Sequence, residues 1–135
     1  MGGKRVSTWH GDEFLRRVER ETVQAVSETL TAAVDDAKTT HPWREDPKLR
    51  TLKSGRRVDT HLQKQIKRGR VSISADGHVT GSFGYTKRVG FVGLFHEEGT
   101  VHEHAFPTIR PAADRQSPTF PDRLKRRLSR FDRSR

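Results

Sequence analysis

Apolar positions along this chain change rhythm several times, and each rhythm predicts an element. From Asp12 to Lys38 the residues Phe14, Leu15, Val18, Ala25, Val26, Leu30, Ala33, Val34 and Ala37 recur at intervals of three, four and seven, which is the spacing of one helix face. Asp12 and Glu13 fall in the first turn, where the helix dipole favours carboxylates, and His41-Pro42 stops the run. A helix over about 12–38 is therefore expected, roughly 40 Å long at 1.5 Å per residue. Val58, Leu62 and Ile66 repeat every four residues and predict a short amphipathic helix ended by Gly69, with Lys64, Lys67 and Arg68 on its other faces. Val71-Ser72-Ile73-Ser74 then alternates, Asp76-Gly77 reads as a two-residue turn, and Val79, Gly81, Phe83 and Tyr85 continue the alternation. Together they predict a hairpin over about 70–85. Val89 to Phe95 fits a strand and a short helix equally. Near the end, Phe120, Leu124, Leu128 and Phe131 predict a helix over about 119–131, with Pro121 in its first turn.

Two segments fall outside these rhythms. Residues 42–57 hold Pro42, Pro47 and Gly55 among many cations, with Trp43, Leu49 and Leu52 as anchors, and read as a long basic loop. Residues 96–110 begin with His96-Glu97-Glu98-Gly99-Thr100, where a glycine after two carboxylates marks a forced chain reversal. An extended arm carrying Phe106 follows, and Arg110-Pro111-Ala112 starts a further helix, with proline suited to its first turn. The expected architecture is α+β. A long N-terminal helix packs on a small antiparallel sheet, made of the hairpin plus additional strands, and a C-terminal helix completes one domain over residues 1–135.

Composition sharpens this picture in two ways. Hydrophobic residues make up only 30% of the chain, and adding its 11 glycines still leaves it below the roughly 45–50% of an ordinary globular domain. So lean a core suits a subunit that completes its burial against neighbours. The formal net charge of +10 is also unevenly spread: residues 44–70 carry +7 and residues 121–135 carry +5, around a nearly neutral middle. Such segments can neutralise phosphates or dock acidic proteins. With no cysteine, disulfides, thiolate metal sites and cysteine nucleophiles are excluded. No apolar run approaches the ~20 residues of a membrane span, and the N-terminus lacks the apolar core of a signal peptide, so a cytoplasmic chain is expected.

The chemistry-bearing residues do not assemble into a catalytic pattern. His96-Glu97-Glu98-Gly99-Thr100 starts like a zinc-protease helix but has threonine where the second histidine must stand. His102-Glu103-His104, with His96, makes a three-histidine site geometrically conceivable, but seven histidines in a polar chain cluster by chance, and the ordered support that a metal site needs is not written in sequence. Glu97, Glu98 and Glu103 could form an acid/base pair, yet carboxylates before a glycine turn more often accept backbone N–H bonds or pair with a cation. No nucleophile elbow and no phosphate-cradling glycine loop is present. The expectation is a protein without cofactor, metal or catalytic residues.

The order of long helix, basic loop, hairpin, Glu97-x-Gly99-Thr100 turn and Phe106…Arg110-Pro111-Ala112 arm resembles the small tail-completion, or neck, proteins of long-tailed bacteriophages. The segment Asp59 to Ile66 departs from that pattern, keeping threonine, leucine and isoleucine but lacking its glycine and serine. The resemblance implies a virion protein that joins head to tail as a homo-oligomeric ring around the DNA channel, assembled in the host cytoplasm. Its partners would be other copies, head-completion and tail proteins and, without sequence preference, the packaged DNA. Under it, Glu97, Gly99, Thr100, Phe106, Arg110 and Pro111 form the subunit joint. Arg56, Arg57, Lys64, Lys67, Arg68, Arg126 and Arg127 are the candidate contacts to DNA or an acidic partner. The competing readings are a basic nucleic-acid-binding module and, further off, a metal-dependent hydrolase built on the histidines and glutamates.

Overall fold

A computed structural model of the chain describes residues 11–40, 43, 49–51, 53–55, 57–59, 62–87, 91–99, 105 and 107–133. Within them the order is α1 (Gly11–Thr40), β1 (Leu49–Thr51), β2 (Arg57–Asp59), β3 (Ile66–Arg68), β4 (Ser72–Ile73), β5 (Val79–Thr80), β6 (Phe83–Tyr85), α2 (Phe91–Glu98), α3 (Ile109–Gln116) and α4 (Phe120–Arg133). The fold is α+β, with the long N-terminal helix, a small set of antiparallel strands and a C-terminal helix. Helix α1 has 30 residues and keeps Asp12 and Glu13 in its first turn and Lys38 in its last, so it extends about 45 Å. The ambiguous stretch before Glu97 is helical, as α2.

The short helix expected from Val58 to Ile66 does not form. Val58 lies in β2 opposite Arg50, and Ile66 opens β3 opposite Tyr85. A repeat of four is also a multiple of two, so the same three residues fit one face of extended chain, and β-branched Val58 and Ile66 favour that outcome. A single 3-10 turn at Gln63–Gln65 is the helical structure in this stretch. The basic loop is likewise corrected in part, because Leu49–Thr51 pairs antiparallel with Arg57–Asp59 across the turn at Lys53, Ser54 and Gly55.

The predicted hairpin is present but longer, running from Ile66 to Tyr85 in two paired stretches. Strand β3 pairs with β6 (Ile66↔Tyr85, Arg68↔Phe83), and β4 pairs with β5 (Ser72↔Thr80, Ile73↔Val79). Between them three residues, Gly69 to Val71, face two, Gly81 and Ser82, with the Gly69 N–H bonded to the Ser82 carbonyl at 2.7 Å. This is a bulge of one residue. Its tip is a three-residue loop rather than the two-residue turn expected. The Gly77 N–H bonds Ser74 O at 3.0 Å, Ser74 N–H bonds His78 O at 2.8 Å, and Gly77 takes φ +85° as the residue after a type I turn.

The core lies where the C-terminal half of α1 meets the base of this hairpin and α3. Val34, Ala37, Ile66 and Ala112 form its buried centre, with Trp43, Phe83, Tyr85 and Ile109 packed around them. Of the six buried hydrophobic residues described, four are alanine (Ala25, Ala33, Ala37 and Ala112). Small residues let α1 and α3 approach closely, but each buries little area. Polar contacts therefore carry much of the helix docking. Asp36 on α1 accepts bonds from the Arg115 guanidinium (2.6 and 3.0 Å) and from Gln116 (2.8 Å) on α3. Arg127 on α4 reaches both Glu21, at 3.1 Å, and Glu28 on α1.

The Asp36 clamp predicts an acid dependence. Hydrogen bonding from Arg115 holds the Asp36 carboxyl down to about 2, below its ordinary 3.8. The stabilisation is therefore complete above about pH 4 and is lost as pH falls toward 2. Because the guanidinium is half exposed, screening reduces the contribution to about 1 kcal/mol. Urea midpoints measured between pH 5 and pH 2.5 should show wild-type protein losing about that much more stability than Asp36→Asn. Equal losses would count against the clamp.

Candidate functional site

Residues 97–99 and 107–111 meet in a joint between α2 and α3. Helix α2 ends at Glu98, and Gly99 takes φ +77°, the left-handed conformation that turns the chain off a helix end. Just before that turn, Glu97 faces the start of α3. Its Oε1 accepts the backbone N–H of Thr108 at 2.6 Å and of Ile109 at 2.7 Å, and the Tyr85 hydroxyl lies 3.5 Å away. Thr108, the residue flanking α3, makes no side-chain cap of its own. A carboxylate eleven residues earlier thus caps this helix N-terminus, where both the unpaired N–H groups and the dipole favour an anion. Pro111, third in α3, has no N–H to satisfy.

Aromatic packing fixes the other side of the joint. Gly93 on α2 sits so close to Tyr85 that an added Cβ would fall 2.6 Å from its Cδ2 and 2.7 Å from its Cγ. The His96 ring stacks on Trp43 (centroids 5.5 Å apart) and meets Tyr85 edge-on (6.4 Å), with its Nε2 3.5 Å from Thr108 Oγ1. Trp43 in turn donates its indole N–H to Ala37 O at 3.2 Å, and Gln63 donates to Lys38 O at 2.9 Å, so two carbonyls at the end of α1 are satisfied by remote side chains. Burial first, then the Glu97 charge, push the Tyr85 hydroxyl well above its ordinary ionisation range, so it remains a donor. The Glu97 carboxylate is taken up by the fold and acts as a positioning group.

The structure brings Glu97, Gly99, Arg110 and Pro111 to this joint, with Arg110 exposed on the first turn of α3. Thr100 and Phe106 lie outside the described residues, as do Arg56 and the His102-Glu103-His104 triplet. Among the other cations, Arg57 lies in β2, while Lys64, Lys67, Arg68 and Arg126 are exposed. Arg127 is already paired within the fold. Its guanidinium is 22% exposed and bridges Glu21 and Glu28, so it ties α4 to α1. Sequence reasoning missed Trp43, Tyr85, Gly93 and Thr108 as parts of the joint, and Arg70 and Lys87 as exposed cations within and just after the hairpin.

Among the described residues no three His, Asp or Glu side chains come close enough to hold a metal ion. None of the described helices is long and apolar enough to cross a membrane. Compared with family models, curated proteins and solved structures, the chain matches none.

Proposed function

We propose that this chain is a non-enzymatic structural subunit that assembles with copies of itself into a ring, as the neck proteins of long-tailed bacteriophages do, and that it joins virion parts around a DNA channel. The observation that supports this most is an imbalance of apolar surface. Six small or medium hydrophobic residues are buried, while Phe14, Leu15, Ile73 and Leu94 are 41%, 58%, 42% and 48% exposed. Phe14 and Leu15 lie on the N-terminal half of α1, before the first buried residue of that helix, Ala25. Arg16, Arg17, Glu19, Arg20 and Glu21 around them mix both signs, which suits contact with a different, complementary patch of the neighbouring copy, as a head-to-tail ring requires.

Wild-type protein should therefore run as a discrete multimer by light scattering and show rings with a central opening by electron microscopy. Leu15→Glu changes an exposed side chain, so the fold survives by circular dichroism while the mass falls toward that of a monomer. Phe106→Ala tests the arm in the same way. A wild-type chain that stays monomeric at tens of micromolar, or multimers unmoved by both variants, would remove assembly through these residues.

A further inference from the structure

We infer that the outward face of the Ile66-to-Tyr85 hairpin is a sequence-independent contact for the phosphate backbone of duplex DNA, and that the basic helix α4 is not. This deepens the assembly reading, on which it rests for the presence of packaged DNA beside the subunit.

Two basic surfaces compete for that role, and their cations are used differently. On α4, Arg127 bridges Glu21 and Glu28, Arg123 bonds the Thr119 hydroxyl at 3.2 Å, and Arg126 bonds the Asp122 carbonyl at 3.4 Å, which leaves the Lys125 and Arg130 side chains exposed with neither contact among the described residues. On the hairpin, Lys67 and Arg70 are exposed and, like Arg68 on the Ile66 side and Lys87 just beyond β6, have no ion pair or hydrogen bond among the described residues. The acid in this stretch is Asp76 at the tip, and it is already engaged by the Ser74 hydroxyl and by His78 at 3.0 Å. The hairpin charge is therefore uncompensated.

The chemistry around those cations fits phosphate better than protein. Cross-strand pairing places Lys67 with Gly84, and Ser72 with Thr80, on the face turned away from α1, opposite to that of Ile66. The Ser72 and Thr80 hydroxyls lie 3.1 Å apart and are exposed, as is Arg70. A protein interface needs an apolar or aromatic centre, which this face lacks. Backbone recognition of DNA needs only cations, hydroxyls and room to approach. The room is supplied at Gly84, where an added Cβ would meet nothing within 4 Å, although the backbone there does not require glycine.

The test is fluorescence anisotropy of the full chain with a labelled 30-base-pair duplex over a salt series, the mass of every variant being measured alongside. Wild-type affinity should fall steeply with salt, and Lys67→Ala/Arg70→Ala should weaken binding and reduce the log–log slope by about 1 per residue removed. Gly84→Glu, which places a carboxylate across from Lys67 without a clash, should weaken binding as well. Lys125→Ala/Arg126→Ala on α4 should leave slope and affinity within error. No binding at 50 mM salt, an unchanged slope in the hairpin variants, a loss confined to the α4 variants, or tighter capture of poly-glutamate than of DNA would each overturn the inference. A monomeric wild type that still binds DNA through the hairpin would instead overturn the ring and leave the contact standing.

Discussion

Replacing Glu97 by alanine should lower the unfolding free energy by about 2–4 kcal/mol, because one carboxylate supplies two charge-assisted bonds to backbone N–H groups and complements a helix dipole. For a chain of 135 residues that corresponds to a fall in melting temperature of roughly 10 °C. The loss exceeds that of an ordinary cap because the N–H groups of Thr108 and Ile109 would be left in a partly buried site, Thr108 itself being only 3% exposed. Glu97→Gln keeps an acceptor oxygen without the charge, so it should lose about half as much. Hydrogen exchange gives the local readout: the amides of Thr108 and Ile109 should lose protection before those of α1. A drop smaller than 0.5 kcal/mol in the alanine variant would show that α3 does not depend on this carboxylate.

The second large effect is expected at Gly93. Alanine there places Cβ within 3.0 Å of three Tyr85 atoms, Cβ, Cγ and Cδ2, which are the root of the side chain rather than its mobile end. Neither group can yield without moving α2 or turning the ring, and overpacking of this kind costs about 1–3 kcal/mol. Displacing α2 also draws Glu97 from the α3 terminus, so the variant should share the exchange signature of Glu97→Ala. Tyr85 is the one tyrosine in the chain, and its near-ultraviolet circular dichroism reports the rearrangement. Gly84→Ala, where the new Cβ meets open space, is the matched control and should stay within about 0.5 kcal/mol of wild type. Equal stability of the two variants would contradict the close contact.

The sequence makes the frame of this fold legible where a single period runs long. Nine apolar positions on one stripe leave α1 little alternative, and Asp76-Gly77 between alternating strands announces the hairpin. At three residues the signal misleads: Val58, Leu62 and Ile66 satisfy helix and strand together, cross-strand partners decide for strand at Val58 and Ile66, and Leu62 keeps helical backbone before the 3-10 turn. The joint is legible only in part. A carboxylate before a glycine turn is expected to accept N–H bonds, and Glu97 does so. That its donors belong to the next helix is invisible along the chain, because the partners are eleven and twelve residues away and Thr108, itself a preferred capping residue, makes no cap bond. The same holds for Trp43 and Gln63 at the end of α1, and for Arg127, whose sequence neighbours are basic while its partners lie 106 and 99 residues earlier.

The extra residue between Gly69 and Val71 makes this hairpin sensitive to length more than to identity. Ile66 and Ile73 are an odd number of positions apart, so in an unbroken strand they would point to opposite faces. The bulge inverts the alternation midway and turns both toward α1, while Val79, Gly81, Phe83 and Tyr85 on the other strand keep step without it. Most single substitutions at 69–71 would leave that arrangement intact. A one-codon deletion there would not, since it would reverse the facing of everything beyond it, sending Ser72 inward and Ile73 outward. Among natural or engineered variants of this chain, point changes in the segment should therefore be common and frame-preserving losses of a single residue rare.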